Sequence, residues 1–314
     1  MYAKLVGTGH YLPRAIVTND DLAARMDTSD EWIRQRVGIV SRRIAEDSET
    51  TSSMAIAAAQ AALSHSGISP ASIEFIIVCT STGDHLMPSV ASQVQRELGI
   101  HGCPAFDLSA ACSGFLYGMS VVEQYIKAGA AKRVLVIGAE RMSRVLDWTD
   151  RSTCVLFGDG AGAAIFEASS VPGILATCLH SEGMHKEALF IESHFSEVPP
   201  VLKMEGSRVF KFAVNALAEV ALEVMAKAGV EASDLDWLIP HQANERIITA
   251  TAKKLELSMD KVILTLPEHG NTSAASIPLA LDVAVRSGKV RSGDLILFEA
   301  IGSGFVWGAS LMRM

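Results

Sequence analysis

The feature that most constrains this chain is an internal duplication, in which the same order of elements occurs twice about 160 residues apart. Residues 67–78 (GISPASIEFIIV) and 229–240 (GVEASDLDWLIP) each begin with glycine, cross a short polar linker and enter an apolar strand behind an acidic residue. An alanine-rich segment precedes the first copy, and apolar residues spaced by four and three positions precede the second, as on one helix face. Because glycine commonly ends a helix, each copy predicts a helix, a stop and a buried strand.

The pattern continues after each copy with a strand, a helix and a further strand. The predicted elements are strands over 104–109 and 262–266, helices from about Cys112 to Lys127 and Ser273 to Arg286, and strands over 133–139 and 294–300. Alternating strands and helices indicate layered α/β structure. We therefore predict two βαβαβ halves, residues 1–170 and 171–314, packed as a five-layer α-β-α-β-α sandwich. Chance similarity between generic βα units is the alternative, and the recurring glycines and linkers argue against it.

Composition excludes several classes of protein. With 314 residues, of which 49% are hydrophobic and 20% charged, the chain can bury a large core and is unlike a disordered segment. Its formal charge of −8 does not favour nucleic-acid binding, and no apolar run is long enough to cross a bilayer. The sequence shows no secretory signal pattern, and five cysteines without a Cys-x-x-Cys pair argue against a disulfide or zinc framework. We expect a cytoplasmic protein that binds no metal, nucleic acid or membrane.

Cys112 is the candidate nucleophile. It lies in residues 107–115 (DLSAACSGF), where a buried strand is predicted to run into a long helix. The free N–H groups at a helix start favour an anion, so we expect the thiol pKa of Cys112 to be lowered. A buried core cysteine is the alternative, and we assign that role to the cysteines without such a position, namely Cys79, Cys103, Cys154 and Cys178.

The duplication predicts two polar partners for Cys112. At the offset of 159 residues between the helix-ending glycines, Gly129 and Gly288, its counterpart is Asn271, and the strand end at Cys79 corresponds to His241. Open α/β sheets bind ligands beyond the carboxyl ends of their strands, so these motifs are expected to meet. A lone histidine is more often structural, but three converging motifs favour a Cys112–His241–Asn271 site.

Two glycine-rich segments are less specific. Residues 158–162 (GDGAG) do not fit the G-x-G-x-x-G spacing of a dinucleotide loop and precede a predicted strand, so we expect no nucleotide cofactor. Residues 301–304 (IGSG) follow the last predicted strand. They fit either a backbone donor for an oxyanion hole or an ordinary tight turn.

These residues resemble the thiolase superfamily and, more narrowly, the bacterial β-ketoacyl-acyl-carrier-protein synthase III family. The resemblance runs nearly end to end, through the motifs GTG (7–9), YLP (11–13), TSDEWI (28–33), GCPAFD (102–107), FGDGAG (157–162), PHQAN (240–244), HGNTS (269–273) and WG (307–308). It implies a thiolase-like fold. It also implies decarboxylative condensation of an acyl-CoA primer, with acetyl-CoA expected, and malonyl-acyl carrier protein at the start of fatty-acid synthesis, in a homodimer without a cofactor.

The resemblance also implies roles for the catalytic residues. Cys112 would attack the acyl-CoA thioester, while backbone N–H groups of Cys112 and Ser303 hold the oxyanion. The family usually has glycine at the position of Ser303, so this donor depends on a backbone conformation that serine tolerates. His241 and Asn271 would donate to the malonyl thioester carbonyl, where charge develops as carbon dioxide leaves.

Substrate contacts follow from the same resemblance. CoA and its pantetheine arm are expected to contact Thr28, Trp32, Arg36, Arg151, Phe157, Phe210 and Asn244. Phe157 and Met87 would line the acyl pocket, with Met87 reaching the partner subunit. A basic set would dock the acidic carrier protein, although a solvated helix face explains it equally well: Lys211, Arg246, Lys253 and Lys254. Met87 stands where enzymes restricted to short primers often carry phenylalanine, and a flexible methionine predicts some tolerance for longer or branched acyl groups.

Three other functions remain open at this point. A secondary-metabolite synthase of the polyketide or quinolone type would share these motifs. A non-catalytic acyl-binding relative would not need an intact triad. A cysteine hydrolase would need a carboxylate to orient His241, and the sequence shows none near it.

Overall fold

The computed structural model of the chain describes residues 1–192 and 200–314. Its strands are β1 (Tyr2–Tyr11), β2 (Ala15–Thr18), β3 (Ser41–Ile44), β4 (Phe75–Cys79), β5 (Ala105–Leu108), β6 (Arg133–Arg141), β7 (Asp159–Ser169), β8 (Ile174–Ser181), β9 (Leu189–Ile191), β10 (Leu202–Met204), β11 (Trp237–Pro240), β12 (Leu295–Gly302) and β13 (Val306–Arg313). Its α-helices are α1 (Asn19–Ala23), α2 (Asp30–Val37), α3 (Thr51–Ser66), α4 (Val90–Glu97), α5 (Gly114–Lys127), α6 (Gly206–Ala228), α7 (Glu245–Lys254), α8 (Leu266–His269) and α9 (Ser276–Arg286).

Two large sheets repeat one strand order. The first sheet has the order β1-β7-β6-β4-β5, and the second has the order β8-β13-β12-β11. Strands β4 and β6 are parallel with Phe75 opposite Val134, and β11 and β12 are parallel with Trp237 opposite Ile296. Both pairs of residues are related by an offset of 162. The strands of the first sheet all precede residue 170 and those of the second follow it, and the fold is the predicted thiolase-like α/β sandwich.

Helices complete the layers around these sheets. Helix α3 packs on the outer side of the first sheet, α6 packs on the second, and α5 and α9 lie between the two. Phe115 and Phe166 from the first half share one buried core with Ile277 and Phe298 from the second. Among the described residues, no helix has the length and apolar character that a membrane crossing requires.

The strand predicted over residues 262–266 is wrong. Only Val262 makes a bridge, to Leu238, and Leu266 already begins α8. The reason is a side chain, because the Gln242 amide oxygen accepts the N–H groups of Thr265 and Leu266 at 2.9 and 3.0 Å. These two donors are therefore satisfied by a side chain and not by a neighbouring strand.

The glycine stops are confirmed, but they also expose an error in register. Helix α5 has 14 residues and α9 has 11, so their starts are offset by 162 residues and the glycines behind them by 159. A short 3-10 turn precedes each helix, Ala111–Ser113 and Ser273–Ala275. The first residue of each turn has a positive φ, 46° and 51°, which fixes the correspondence. The counterpart of Cys112 is therefore Ala274, and not Asn271 as predicted.

The chain ends lie beside the link between the halves. Gly173, between β7 and β8, accepts a hydrogen bond from the Arg313 N–H at 2.9 Å. A Cβ atom added at Gly173 would lie 2.1 Å from the Ala3 carbonyl oxygen. This close approach of β1 to the link requires glycine.

Candidate active site

A cavity of about 910 Å³ opens where the two halves meet. Its wall includes Cys112, Phe157, Ser273 and Ser303, together with the loop of residues 80–86. The nucleophile predicted from sequence and the expected pocket residue Phe157 therefore face one space. A cavity of this size suits a small-molecule substrate.

Cys112 lies in the 3-10 turn before α5 and is partly exposed. Burial of the sulfur raises the pKa of the Cys112 thiol to about 12, the Ser273 hydroxyl lowers it, and the charge of Glu140 raises it further. The predicted lowering by the helix start is therefore wrong, because the desolvation of a thiolate outweighs it. At neutral pH Cys112 is a protonated thiol.

His241 directly follows β11 and is 5% exposed. Its Nδ1 lies 2.7 Å from the Ser276 hydroxyl oxygen, which also accepts the Gln242 N–H at 3.4 Å. Burial lowers the pKa of His241 to about 3, so the ring is neutral. Because the serine oxygen accepts from Gln242, its hydroxyl proton is available for Nδ1, which assigns the ring proton to Nε2. His241 thus offers a neutral Nε2–H donor.

Asn271 is held on both its backbone and its side chain. Its N–H donates to the Leu156 carbonyl at 2.8 Å, and its carbonyl accepts the Gly158 N–H at 3.0 Å, so it bridges Phe157. Its side-chain oxygen accepts the Ser273 N–H at 2.8 Å. With the oxygen engaged, the amide nitrogen is the group that Asn271 can direct at a ligand.

One short turn connects the three predicted catalytic residues. Ser273 contacts Asn271 through its N–H and influences the thiol of Cys112 through its hydroxyl, while Ser276 binds His241. The turn Ala111–Ser113 packs directly against Ser273–Ala275. The site therefore combines a thiol with two neutral hydrogen-bond donors, a set that suits acyl transfer with stabilisation of an enolate oxygen.

The loop after β12 approaches Cys112 closely. A Cβ atom at Gly302 would lie 2.7 Å from the Cys112 backbone nitrogen, so only glycine fits. The next residue, Ser303, lines the cavity, and its hydroxyl donates to the Leu189 carbonyl. Among the described non-glycine residues, positive φ angles occur at Ala111, Glu256 and Ser273, so Ser303 keeps a conformation that an L-residue tolerates.

The residues expected to contact CoA form two groups. The guanidinium carbons of Arg36 and Arg151 lie 5.6 and 5.1 Å from the centre of the Trp32 ring. Thr28 is half-buried in the neighbouring loop, and its hydroxyl has no hydrogen-bond partner among the described residues. These positions form a cationic aromatic patch suited to a flat, phosphorylated ligand.

The second group surrounds the start of α7. Asn244 caps this helix by accepting the Arg246 N–H at 2.9 Å and donates to the Arg36 carbonyl at 3.3 Å. The Arg246 guanidinium carbon lies 5.3 Å from the centre of the Phe210 ring on α6. Asn244 therefore has a structural role that the sequence did not predict, and it joins the two groups.

The basic set lies on α6 and α7, which pack against each other. The Lys254 ammonium donates to the Asn215 side chain at 2.6 Å, and Lys211 and Lys253 are exposed. Met87 is 85% exposed and lies outside the cavity of its own chain, whereas its neighbours His85 and Leu86 line it.

Three polar residues of the site were missed. Glu140 ends β6, and the sequence gave a signal in the acidic residue that follows an apolar strand. Ser273 and Ser276 lie in a segment that was singled out, but no role was assigned to them. Their importance depends on contacts between the two halves, which no local pattern reveals.

Comparison with known proteins follows from this geometry. Family models described as 3-oxoacyl-[acyl-carrier-protein] synthase III and its C-terminal part match residues 106–183 and 225–314. The β-ketoacyl-[acyl-carrier-protein] synthase III of Methylococcus capsulatus is 51% identical, with 99% of each chain covered. A 3-oxoacyl-[acyl-carrier-protein] synthase III from Aquifex aeolicus is 48% identical in its crystal structure, with a TM-score of 0.96 and coverage of 99% and 100%. The priming β-ketosynthase of the R1128 polyketide pathway is 39% identical, with a TM-score of 0.96 and coverage of 99% and 96%.

Proposed function

The chain belongs to the β-ketoacyl-[acyl-carrier-protein] synthase III family of thiolase-like condensing enzymes, and from this membership we propose its reaction and the residues that perform it. It is an acyltransferase that joins an acyl primer from CoA to malonyl-acyl carrier protein and so initiates fatty-acid synthesis. Higher identity to the family's synthases than to the R1128 polyketide enzyme, 51% against 39%, favours this pathway. The observation that carries the proposal is the thiol of Cys112 in a cavity beside two neutral donors.

The reaction has two stages at one site. Cys112 attacks the acyl-CoA carbonyl while the N–H groups of residues 112 and 303 stabilise the oxyanion, and CoA leaves. The malonyl thioester then binds with its carbonyl oxygen against His241 Nε2–H and Asn271 Nδ2–H. As carbon dioxide departs, these donors stabilise the enolate, whose carbon attacks the acyl group on Cys112.

The state of His241 supports this assignment over a hydrolase. A hydrolase needs histidine as a base with an orienting carboxylate, whereas His241 Nδ1 contacts Ser276 and the pKa of the ring is lowered to about 3. A group so hard to protonate is a poor base and a sound neutral donor. Peptide mass spectrometry after incubation with acetyl-CoA tests the proposal, since one acetyl group should appear on Cys112. Lack of acetylation, or release of acetate without condensation, would contradict it.

We assign CoA binding to the patch around Trp32. The adenine would stack near the indole, with Arg36 and Arg151 beside the phosphates, and the pantetheine arm would pass Thr28, Asn244 and Phe210 toward Phe157. CoA is a substrate carrier here and not a resident cofactor. Trp32→Ala should raise the KM for acetyl-CoA about tenfold and leave the KM for malonyl-carrier protein nearly unchanged.

The assembly is proposed to be a homodimer. Strand β5 forms the edge of the first sheet, and exposed apolar side chains occur near it and on the neighbouring loop: Leu86, Met87, Phe106 and Tyr125. An open edge with such residues is a typical interface. Met87 would then complete the acyl pocket of the other copy. Steady-state rates over a series of acyl-CoA primers test the predicted tolerance, which a sharp drop after acetyl would refute.

Carrier docking and location are proposed as expected from the sequence. The basic residues Lys211, Arg246, Lys253 and Lys254 face the surface of α6 and α7 or lie near it and would meet the acidic carrier. Free thiols at all five cysteines are typical of a reducing compartment, which supports the cytoplasm. The division of the chain at residue 170 is supported by the separation of the two sheets.

A further inference from the structure

Glu140 is a fully buried carboxylate beside the site. Its Oε2 accepts the Ser81 N–H and the Thr80 and Thr82 hydroxyls at 3.1, 3.2 and 2.5 Å. Its Oε1 accepts the Ser273 hydroxyl from the other half of the chain at 3.0 Å. Three donors thus fix one oxygen within the first half, and the other oxygen points toward the cavity through Ser273.

Ser273 uses its backbone and its side chain for different neighbours. The N–H holds Asn271, while the hydroxyl lies between the Glu140 carboxylate and the Cys112 thiol, whose pKa it lowers. Cys112 and Ser273 line the same cavity. A serine hydroxyl can accept one proton as it donates another, so this position suits a proton relay.

The thiol needs a proton acceptor that the predicted catalytic residues do not supply. Burial raises the pKa of Cys112 to about 12 and lowers that of His241 to about 3, and Asn271 is no base. Burial also raises the pKa of Glu140, which makes it a stronger base than an exposed carboxylate. Proton transfer from Cys112 to Glu140 keeps one negative charge in the site, so the carboxylate no longer opposes the thiolate.

We propose that Glu140 is the terminal proton acceptor for Cys112 during acylation, reached through the Ser273 hydroxyl. This inference depends on the proposed role of Cys112 as nucleophile. As the bond from Cys112 Sγ to the acyl carbon forms, the thiol proton passes to Ser273 Oγ and the serine proton to Glu140 Oε1. When the acyl–sulfur bond of CoA breaks, the reverse transfers return the proton to the leaving sulfur, which gives acyl-Cys112 and free CoA thiol.

Few other ionisable groups face Glu140. The thiols of Cys79 and Cys112 feel its charge, and burial raises the pKa of Cys79 so that it stays protonated. The β7 residue opposite Glu140 is Gly160, and residues 273–275 have no ionisable side chain. A pH effect on acylation can therefore be traced to the Cys112–Glu140 pair.

The test measures single-turnover acetylation of Cys112 from acetyl-CoA between pH 6 and 9. Glu140→Gln and Ser273→Ala should each slow acetylation about 100-fold at pH 7, a typical contribution of a general base. The wild-type rate should rise with pH until Glu140 is ionised and then level off. In Glu140→Gln it should keep rising with pH, because only the free thiolate then reacts. Decarboxylation of malonyl-CoA by pre-acetylated enzyme should change less than about tenfold, since Ser273→Ala keeps the N–H bond to Asn271.

Glu123→Gln is the matched control, because Glu123 is buried on α5 and paired with Lys127 at 2.5 Å, outside the cavity. It should acetylate at the wild-type rate. Wild-type acetylation rates in Glu140→Gln and Ser273→Ala would overturn the relay, as would equal losses in both half-reactions with an unchanged pH profile. If Glu140→Gln does not fold, Ser273→Ala alone decides. Wild-type protein that takes no acetyl group at Cys112 would instead refute the proposed function.

Discussion

The ends of β6 and β12 occupy the same place in the two halves, yet one carries Glu140 and the other Gly302. Each reaches the turn of the opposite half, since Glu140 binds Ser273 and Gly302 lies against the Cys112 backbone. The first strand end supplies an acid, and the second supplies space for a close approach. One side chain at a duplicated position thus decides which half provides charge and which provides room.

The two turns differ in the same way. Cys112 corresponds to Ala274, and the buried core residue Cys79 corresponds to His241, so neither half repeats the chemistry of the other. The first half contributes the reacting thiol, and the second contributes neutral donors. This division can be tested by changing each contribution separately.

The largest effect is expected at the thiol. Cys112→Ala should abolish acetylation, because no other group in the cavity can form the thioester. Intact-protein mass spectrometry measures this, with Cys103→Ala, at the other partly exposed cysteine, as the control. A full acetyl adduct on Cys112→Ala would show that the nucleophile lies elsewhere.

The donors of the second half should affect the second stage of the reaction. His241→Ala should slow malonyl decarboxylation about 10²- to 10³-fold, the usual loss for one oxyanion donor, and slow acetylation less than about tenfold. Release of labelled carbon dioxide and acetylation are measured on the same preparation. His180→Ala, at an exposed histidine, should match the wild type. Equal losses in both stages would end the proposed division of labour.

The contact of Gly302 with Cys112 should have an intermediate effect. Gly302→Ala places a methyl group 2.7 Å from the Cys112 nitrogen, and the resulting shift should slow acetylation about 10- to 100-fold. Gly183→Ala is the matched control, because a Cβ atom there meets nothing within 4 Å. Rates from rapid-quench acetylation would contradict this reasoning if both variants behaved alike.

The smallest effect concerns stability. His241 stays neutral in the folded state down to about pH 3, whereas an unfolded histidine binds a proton below about pH 6.5. Acid therefore favours unfolding, and at pH 5 this histidine should cost about 2 kcal/mol relative to pH 7.5. Denaturant unfolding of His241→Gln should show a shallower loss between these pH values. An identical slope would mean that the ring is protonated in the folded protein.

Much of the fold could be predicted because the signals were local. Glycines 67 and 229 adopt φ angles of 67° and 66° behind α3 and α6, as helix stops require. Apolar runs such as residues 75–78 became buried parallel strands. Cys112 and His241 were placed by their positions after strands, which a duplicated pattern makes visible.

The remainder depended on contacts across the molecule. The three-residue difference between α5 and α9 hid the correct register, and the Gln242 side chain replaced a strand that the apolar pattern favoured. The thiol pKa followed from burial in the assembled cavity and not from the helix start. Glu140 and Ser273 gained their roles only when the two halves met.

The position of Gly173, held between Ala3 and the Arg313 N–H, has a consequence for the order of the gene's two parts. Both termini and the link at Val171, which is 54% exposed, lie at one corner of the molecule. A chain opened there, with its original ends joined by a short loop, would trace the same path through every layer. Which half comes first is thus a matter of ancestry, and a circular permutant beginning near residue 171 should keep the working enzyme.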